Sequence, residues 1–323
     1  MQPSITERLA TYLDLSKECV QRMAKEAPES YRRFRIPKAG GGERLIHQPS
    51  QETLCLQHGL MKIALADPPV HDCATAYVSR PGGSPLLRNA KLHARFPYSI
   101  RIDLRNFFPS IRPGDLLQRL KQHYGSLAHE DEGLISLALF VRLRGGVMAL
   151  AVGAPSSPTV SNIVMYTLDS ALSACARSRG GVFSRYADDF VFSTDRPGEC
   201  ASFLRHVSEE LARTDSPRLC INSKKTRFMS RGNRRIITGI RITPEGGTSV
   251  GHAKKREVCK LLHNFRRGRL PADERAYLQG YLAFLLDVER EFCRTLAQKY
   301  GPDVLNAALH LHVAPPIAIS PSG

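Results

Sequence analysis

The spacing of apolar and polar positions divides the chain into strand-like and helix-like stretches, with no internal repeat and no long linker. Ser4-x-x-Glu7 has the form of a capping box and opens a helix through Leu9, Leu13 and Leu15. Phe34-Arg35-Ile36-Pro37-Lys38 and Glu43-Arg44-Leu45-Ile46-His47 flank the tip Ala39-Gly40-Gly41-Gly42 and predict a β-hairpin. Residues 51–66 carry Leu54, Leu56, Leu60, Met61 and Ile63 at helical spacing, and 78–96 predict a loop followed by a short helix. Residues 98–104 form a strand pattern, and 113–124 a helix with Leu116, Leu117 and Leu120 on one face. A longer helix is predicted from Ser157-Pro158, since Ser is a good N-cap and Pro suits the first helical position. It continues through Val160, Ile163, Val164, Leu168 and Leu172. Two β-rich runs, 181–185 and 190–194, bracket a tight turn, and an amphipathic helix carries Phe203, Leu204, Val207 and Leu211. Strands at 226–229 and 235–242 are expected to be joined by a Gly232-Asn233 turn. From 252 onward the pattern is helical, broken at Arg269-Leu270-Pro271. The expected class is α+β: an antiparallel sheet backed by helices, followed by a helical tail.

Composition narrows the partners. The 323 residues suggest two or three subdomains, and 42% hydrophobic content argues for a packed interior. With 46 Lys and Arg against 30 Asp and Glu, the net charge is +16, which favours a polyanionic partner. Nucleic acid is preferred over a membrane, because no basic helix has a strong apolar face and no apolar run approaches about 18 residues. The N-terminus lacks the basic and apolar regions of a signal peptide. Eight scattered cysteines contain no Cys-x-x-Cys pair, so reduced thiols in a cytoplasmic protein are expected. His71 and Cys73 lack partners at ligand spacing and read as structural.

Candidate chemistry centres on Tyr186-Ala187-Asp188-Asp189, which occupies the tight turn. Two adjacent carboxylates repel each other there and bury nothing, but they suit a hard divalent cation. Asp103 ends a strand upstream in Arg101-Ile102-Asp103-Leu104, and Pro109 breaks the run after it. Two metal ions about 3.5–4 Å apart need several carboxylates, and these three acids would supply them if the fold brings them together.

Three segments together resemble the central motifs of reverse transcriptases: Asp103 within Arg-Ile-Asp-Leu-Arg-Asn-Phe-Phe, Gly153-Ala154-Pro155-Ser156-Ser157-Pro158, and the Tyr-Ala-Asp-Asp turn. The resemblance spans about residues 30–300. Asn89-Ala90-Lys91-Leu92-His93 and Ile237-Thr238-Gly239 resemble signatures of the bacterial retron type, with Ile in place of a usual Val. Val152 is a departure, because many members carry Gln there, whose amide touches the incoming nucleotide.

The resemblance implies a right-hand polymerase. Its fingers would cover 1–98, its palm 99–245 with a fingers insertion at about 112–152, and its helical thumb 246–323. It implies two Mg²⁺ ions with Asp103 and Asp188 as primary ligands, Asp189 as a more dispensable one, and the Leu104 carbonyl completing a shell. Phe108 would be a steric gate against a ribose 2′-OH, on the same side as Asp103 only if the chain bends near Asn106. Lys38 and Arg44 would close over the dNTP triphosphate beside Gly153, and Lys225 would lie near the leaving pyrophosphate. Asn89, His93, Ile237, Thr238 and Gly239 would contact nucleic acid. So would a thumb helix bearing Lys254, Lys255, Arg256, Lys260, Arg266 and Arg267, with Leu261, Leu262 and Phe265 inward. The implied partners are a structured msr-msd-type non-coding RNA, its branched DNA product, dNTPs and a separate effector protein, in antiphage defence. Two alternatives stay open: a group II intron-like reverse transcriptase, whose maturase region has no room here, and a non-catalytic scaffold that only binds nucleic acid.

Overall fold

The computed structural model describes residues 3–38, 41–81 and 83–310. Ala39 and Gly40 of the expected hairpin tip, and 311–323 of the expected thumb, lie outside them. In chain order the elements begin with α1 (Ile5–Leu13), α2 (Lys17–Glu26), β1 (Tyr31–Pro37), β2 (Glu43–Pro49), α3 (Gln51–Ile63), α4 (Pro85–His93) and β3 (Tyr98–Arg105). There follow α5 (Phe107–Ser110), α6 (Pro113–Tyr124), α7 (His129–Leu139), β4 (Val141–Arg142), β5 (Met148–Ala149), α8 (Ser156–Val164), α9 (Tyr166–Ser178), β6 (Gly181–Tyr186) and β7 (Asp189–Thr194). The chain continues with α10 (Glu199–Arg213), β8 (Cys220–Ile221), β9 (Arg227–Ser230), β10 (Arg235–Ile237), β11 (Ile240–Ile242) and β12 (Thr248–Ser249). Four helices complete it: α11 (His252–Arg266), α12 (Ala272–Val288), α13 (Arg290–Tyr300) and α14 (Pro302–Leu309).

These elements cluster into two units, one made of residues up to Ser79 with Pro97–Met229, the other of Arg80–Phe96 with residues from Ser230 onward. The first holds an antiparallel sheet in the order β6-β7-β3-β8, with β9 also paired to β3. One sheet face carries Ile100, Ile102, Phe183, Phe190 and Phe192 onto helices α9 and α10. Phe192 stacks on Phe203 of α10 at 4.3 Å between centroids, and Phe183 meets Phe190 edge-on at 5.5 Å. Each such ring, taken out of water, contributes about 1.5–3 kcal/mol. In the same unit the Ser4 capping box forms, and the Asp131 carboxylate accepts the backbone N–H groups of Ile5 (3.1 Å) and Thr6 (2.9 Å). Three orphan donors of α1 are thereby satisfied.

The second unit holds the sheet β10-β11-β12, with α4 against β11 and a core of Val258, Leu262, Leu278, Leu282, Leu285 and Leu296 from α11–α13. The resemblance puts 80–96 in the fingers and 230–245 in the palm, and both pack in this unit. The reasons are side-chain ties: buried Arg235 donates to the Phe96 and Thr243 carbonyls, and Thr238 Oγ1 donates to Leu86 O at 2.9 Å.

Three local expectations are corrected. The helix expected from Ser157 starts at Ser156 after Pro155, because Ser157 Oγ donates to Ala151 O (2.7 Å) instead of capping. It also divides at Met165 into α8 and α9. The run 235–242 is not one strand but a hairpin, with Thr238 (φ 49) and Gly239 (φ 79) as its two-residue turn between paired Ile237 and Ile240. Two consecutive left-handed residues match the twist of a tight hairpin.

Candidate active site

The site is built by strand register. In the β3–β7 pairing Asp103 stands directly opposite Asp189. The β6–β7 hairpin closes on the pair Tyr186–Asp189, with Ala187 at φ 56, so Asp188 sits in the turn beside them. Leu104 N donates to Asp188 O at 3.1 Å, which ties the turn to the end of β3. The three acids, distant in sequence, are thus brought together by hydrogen-bonded backbone.

Their surroundings are charged and partly dry. Asn222 Nδ2 donates to Asp103 Oδ1 at 2.8 Å, and Lys225 Nζ lies 3.4 Å from Oδ2. Arg101 Nε stands 3.9 Å from Asp189 Oδ1, an ion pair but too long for a hydrogen bond. Burial pushes the Asp188 carboxyl up and Asp103 pushes it further, while its own backbone N–H, Lys225 and Arg44 pull it back. Asp189 is pushed up to about 6, chiefly by burial, with Arg101 opposing and the charges of Asp188 and Asp103 adding. Carboxylates that repel one another in a half-buried place hold protons tightly and favour a cation. The donors are all oxygen, which suits Mg²⁺. Among the described residues no three His, Cys, Asp or Glu side chains already converge as a metal-binding group. Asp103 instead pairs with the exposed Lys225 ammonium. The residues therefore fit divalent ions, once Asp103 turns from Lys225.

Other expected residues fall as follows. Asn106 adopts φ 48, the bend that Phe108 requires; Phe107 is buried and Phe108 half-buried. Gly153 has φ 116, and a Cβ there would lie 2.7 Å from Ile46 Cγ2 and 3.2 Å from His47 O. Beside it, His47 N donates to Val152 O at 2.8 Å, which ties the backbone before Gly153 to β2. Arg44 is exposed on β2, and its charge reaches Asp188. Lys38 is exposed at the hairpin tip, where its N–H donates to Gly42 O at 2.9 Å.

The expected nucleic-acid contacts divide. Asn89, His93 and Ile237 are fully buried, so their side chains pack the interior of the second unit rather than facing solvent. Thr238 and Gly239 form the β10–β11 turn. Lys254 Nζ engages Glu257 (2.8 Å) and Tyr277 OH (2.9 Å), and Lys255 engages Glu289. Arg256, Lys260, Arg266 and Arg267 are exposed along or just beyond α11.

Sequence reasoning missed a buried bracket under the Asp188 turn. The Arg185 guanidinium meets Asp169 through Nε (2.8 and 3.1 Å) and Nη2 (2.7 Å), with both side chains fully buried. Nη1 donates to Asn162 Oδ1 (3.0 Å) and Ala187 O (3.4 Å). The available signal was one charge in a buried strand and its opposite at a core-facing position of an apolar helix. Asn222, on the loop after β8, gave no such signal.

Residues 36–262 match the family described as Reverse transcriptase (RNA-dependent DNA polymerase). The chain belongs to the reverse transcriptases. It is similar to Retron Ec83 reverse transcriptase of Escherichia coli, 32% identical over 280 residues covering 86% of this chain and 89% of that protein. Retron Ec86 reverse transcriptase of the same organism is 28% identical over 306 residues, 91% of this chain and 90% of that one. Retron Ec73 reverse transcriptase, also from E. coli, is 27% identical over 287 residues, with 86% and 89% covered. The protein is thus an RNA-directed DNA polymerase of the retron type, with the α+β polymerase fold. No helix among the described residues is long and apolar enough to cross a membrane.

Proposed function

We propose that this reverse transcriptase copies a cognate structured non-coding RNA of the msr-msd type, priming from an internal guanosine 2′-OH. Its product would be a branched RNA–DNA hybrid, multicopy single-stranded DNA. The reaction would occur in the cytoplasm and serve antiphage defence with a separate effector protein. The single observation that carries the catalytic part is the register pair Asp103–Asp189 with Asp188 in the adjoining turn. The retron relatives support the template class.

In this reading a primer hydroxyl attacks the α-phosphorus of a dNTP. A new P–O bond forms, the bond to the β-phosphate oxygen breaks, and pyrophosphate leaves with its electron pair. Phosphoryl transfer depends on positioning and charge neutralisation. Asp103, Asp188, Asp189 and the Leu104 carbonyl would hold two Mg²⁺ ions, which when bound supply that neutralisation and ease loss of the hydroxyl proton. Arg44 and Lys38 neutralise the triphosphate, and Lys225 moves from Asp103 toward the leaving pyrophosphate. Gly153 keeps the floor of the nucleotide site flat, and Phe108 excludes a 2′-OH. Exposed Arg256, Lys260, Arg266 and Arg267 grip duplex phosphates, joined by Lys254 and Lys255 where their acids release them. By order along the chain we assign fingers to 1–98, palm to 99–245 with a fingers insertion at about 112–152, and thumb to 246–323, with 80–96 and 230–245 packing beside the thumb helices in one compact unit.

Primer extension on an RNA template with dNTPs and Mg²⁺ tests the chemistry. Asp188→Asn should lower kcat at least about 10³-fold, some 4 kcal/mol of barrier. Unchanged extension by the variant would exclude this site, whereas no extension by the wild-type chain would favour a binding scaffold. Sequencing co-purified nucleic acid tests the subtype: DNA joined 2′–5′ to RNA supports it, and bulk RNA without linked DNA rejects it in favour of a group II intron-like enzyme.

A further inference from the structure

Tyr77 is unusual in two respects. Its φ is 62, in the left-handed region that a bulky side chain rarely adopts. Its residue surface is 53% exposed, so the ring contributes little to the core. A strained backbone that presents an exposed aromatic ring is kept only where the surroundings over-determine it, and such places cluster at functional sites.

The surroundings do over-determine it. The segment before Tyr77 runs parallel to β6 through an Ala74–Arg185 bridge. Arg185 N donates to Cys73 O at 2.8 Å, and Thr75 N donates to Arg185 O at 2.9 Å. Asn162 Nδ2 donates to Ala76 O at 3.1 Å, while its Oδ1 accepts Arg185 Nη1 at 3.0 Å. The same Nη1 reaches Ala187 O at 3.4 Å. The buried guanidinium therefore holds the Ala187 carbonyl directly and the Ala76 carbonyl through Asn162, and these belong to the peptide groups that lead into Asp188 and Tyr77. The ring and the carboxylate are set by a single bracket. The charge environment agrees: the Tyr77 hydroxyl is pushed up by burial, then by Tyr186 and Asp188, and pulled down by Arg44 and Arg185.

We propose that Tyr77 is a substrate-contacting residue, its ring stacking on a base of the nucleotide pair being joined beside Asp188. Stacking suits a polymerase because every base offers a π-face, so the contact tolerates any sequence. The proposal rests on the polymerase reading above. Nothing in the ring's role is chemical, and its loss should weaken nucleotide binding alone.

Steady-state primer extension with each dNTP separates the possibilities, using the full chain freed of nucleic acid and a defined RNA template–DNA primer. Tyr77→Ala should raise KM for all four dNTPs about tenfold with kcat little changed, equivalent to ~1.4 kcal/mol of stacking. Tyr77→Phe keeps the ring and should stay within about twofold of wild type. Tyr77→Gly should match Ala in KM yet melt at a higher temperature, because the left-handed strain is relieved. Unchanged KM in the Ala and Gly variants overturns the proposal, leaving Tyr77 a backbone feature only. So does a Phe variant as impaired as Ala, which would assign the work to the hydroxyl. Failure of the wild-type chain to extend the primer would instead overturn the polymerase reading.

Discussion

Replacing Asp169 by Asn removes one charge from a pair that has no water to fall back on. Arg185 and Asp169 are both fully buried. Three of the guanidinium's close contacts, at 2.7, 2.8 and 3.1 Å, end on the two Asp169 oxygens. Asn offers one acceptor oxygen where there were two, and turns an amide donor toward a donor. Leaving a buried charge without its counter-ion costs about 3–5 kcal/mol. For a unit of this size a loss of 1 kcal/mol lowers the melting point by about 2–4 °C, so a fall of about 6–20 °C is expected. The chain contains no Trp, so calorimetry or a dye-based melt is the practical assay. Removing both charges with apolar replacements, Asp169→Leu with Arg185→Met, should cost less than Asp169→Asn alone, since no ion is left stranded. Extension should also fall in Asp169→Asn at temperatures where the protein is still folded, because Nη1 no longer steadies Ala187 O. A melting point within 2 °C of wild type, worth about 1 kcal/mol or less, would refute the view that charge pairing holds this bracket.

Three other outcomes follow from the same structure. Gly153→Ala puts a Cβ 2.7 Å from Ile46 Cγ2 at φ 116, so it should destabilise by about 1–3 kcal/mol and lower kcat/KM for dNTPs, read in the extension assay. Burial holds His93 at about 3, against 6.5 when unfolded. Its contribution to stability is complete above pH 6.5 and is lost as pH falls toward 3, by up to about 1.4 kcal/mol per pH unit; in His93→Gln, denaturant melts across pH should show that slope flattened. Arg266→Gln with Arg267→Gln should weaken template–primer binding at low salt and flatten the salt dependence by about 0.7–0.9 per lost phosphate contact, measured by titration at several salt concentrations.

The parts of this protein legible in its sequence are those set by local periodicity. The helix at Pro113–Tyr124, the β6–β7 hairpin and the capping box at Ser4 fall where spacing and cap residues put them. The enzyme class was legible too, because three separated motifs resemble those of one family, and the strand register brings their acids together. What escaped depended on tertiary partners. Arg185 and Asp169 look like conflicts with their apolar neighbours until they are seen to meet. Thr238-Gly239 sits inside a continuous β-rich run, and only the pairing of Ile237 with Ile240 marks it as a turn. Asn89 and His93 are polar letters on a short helix, and nothing local says that they point inward. The unit boundaries at 79/80, 96/97 and 229/230 were equally hidden, since buried side-chain ties rather than linkers create them.

The opposition of Asp103 and Asp189 couples catalysis to the aromatic layer behind the sheet. Side chains alternate along a strand, so sliding β3 by a single residue would drive the Asp103 carboxylate in among Phe190, Phe192 and Phe203 and expose Ile102 in its stead. Such a misalignment forfeits apolar burial and active carboxylate geometry together, which makes it self-punishing during folding. The phenylalanine layer is thereby the ruler by which the acids are measured out. Enzymes altered only in that layer should lose turnover before they lose their folded state.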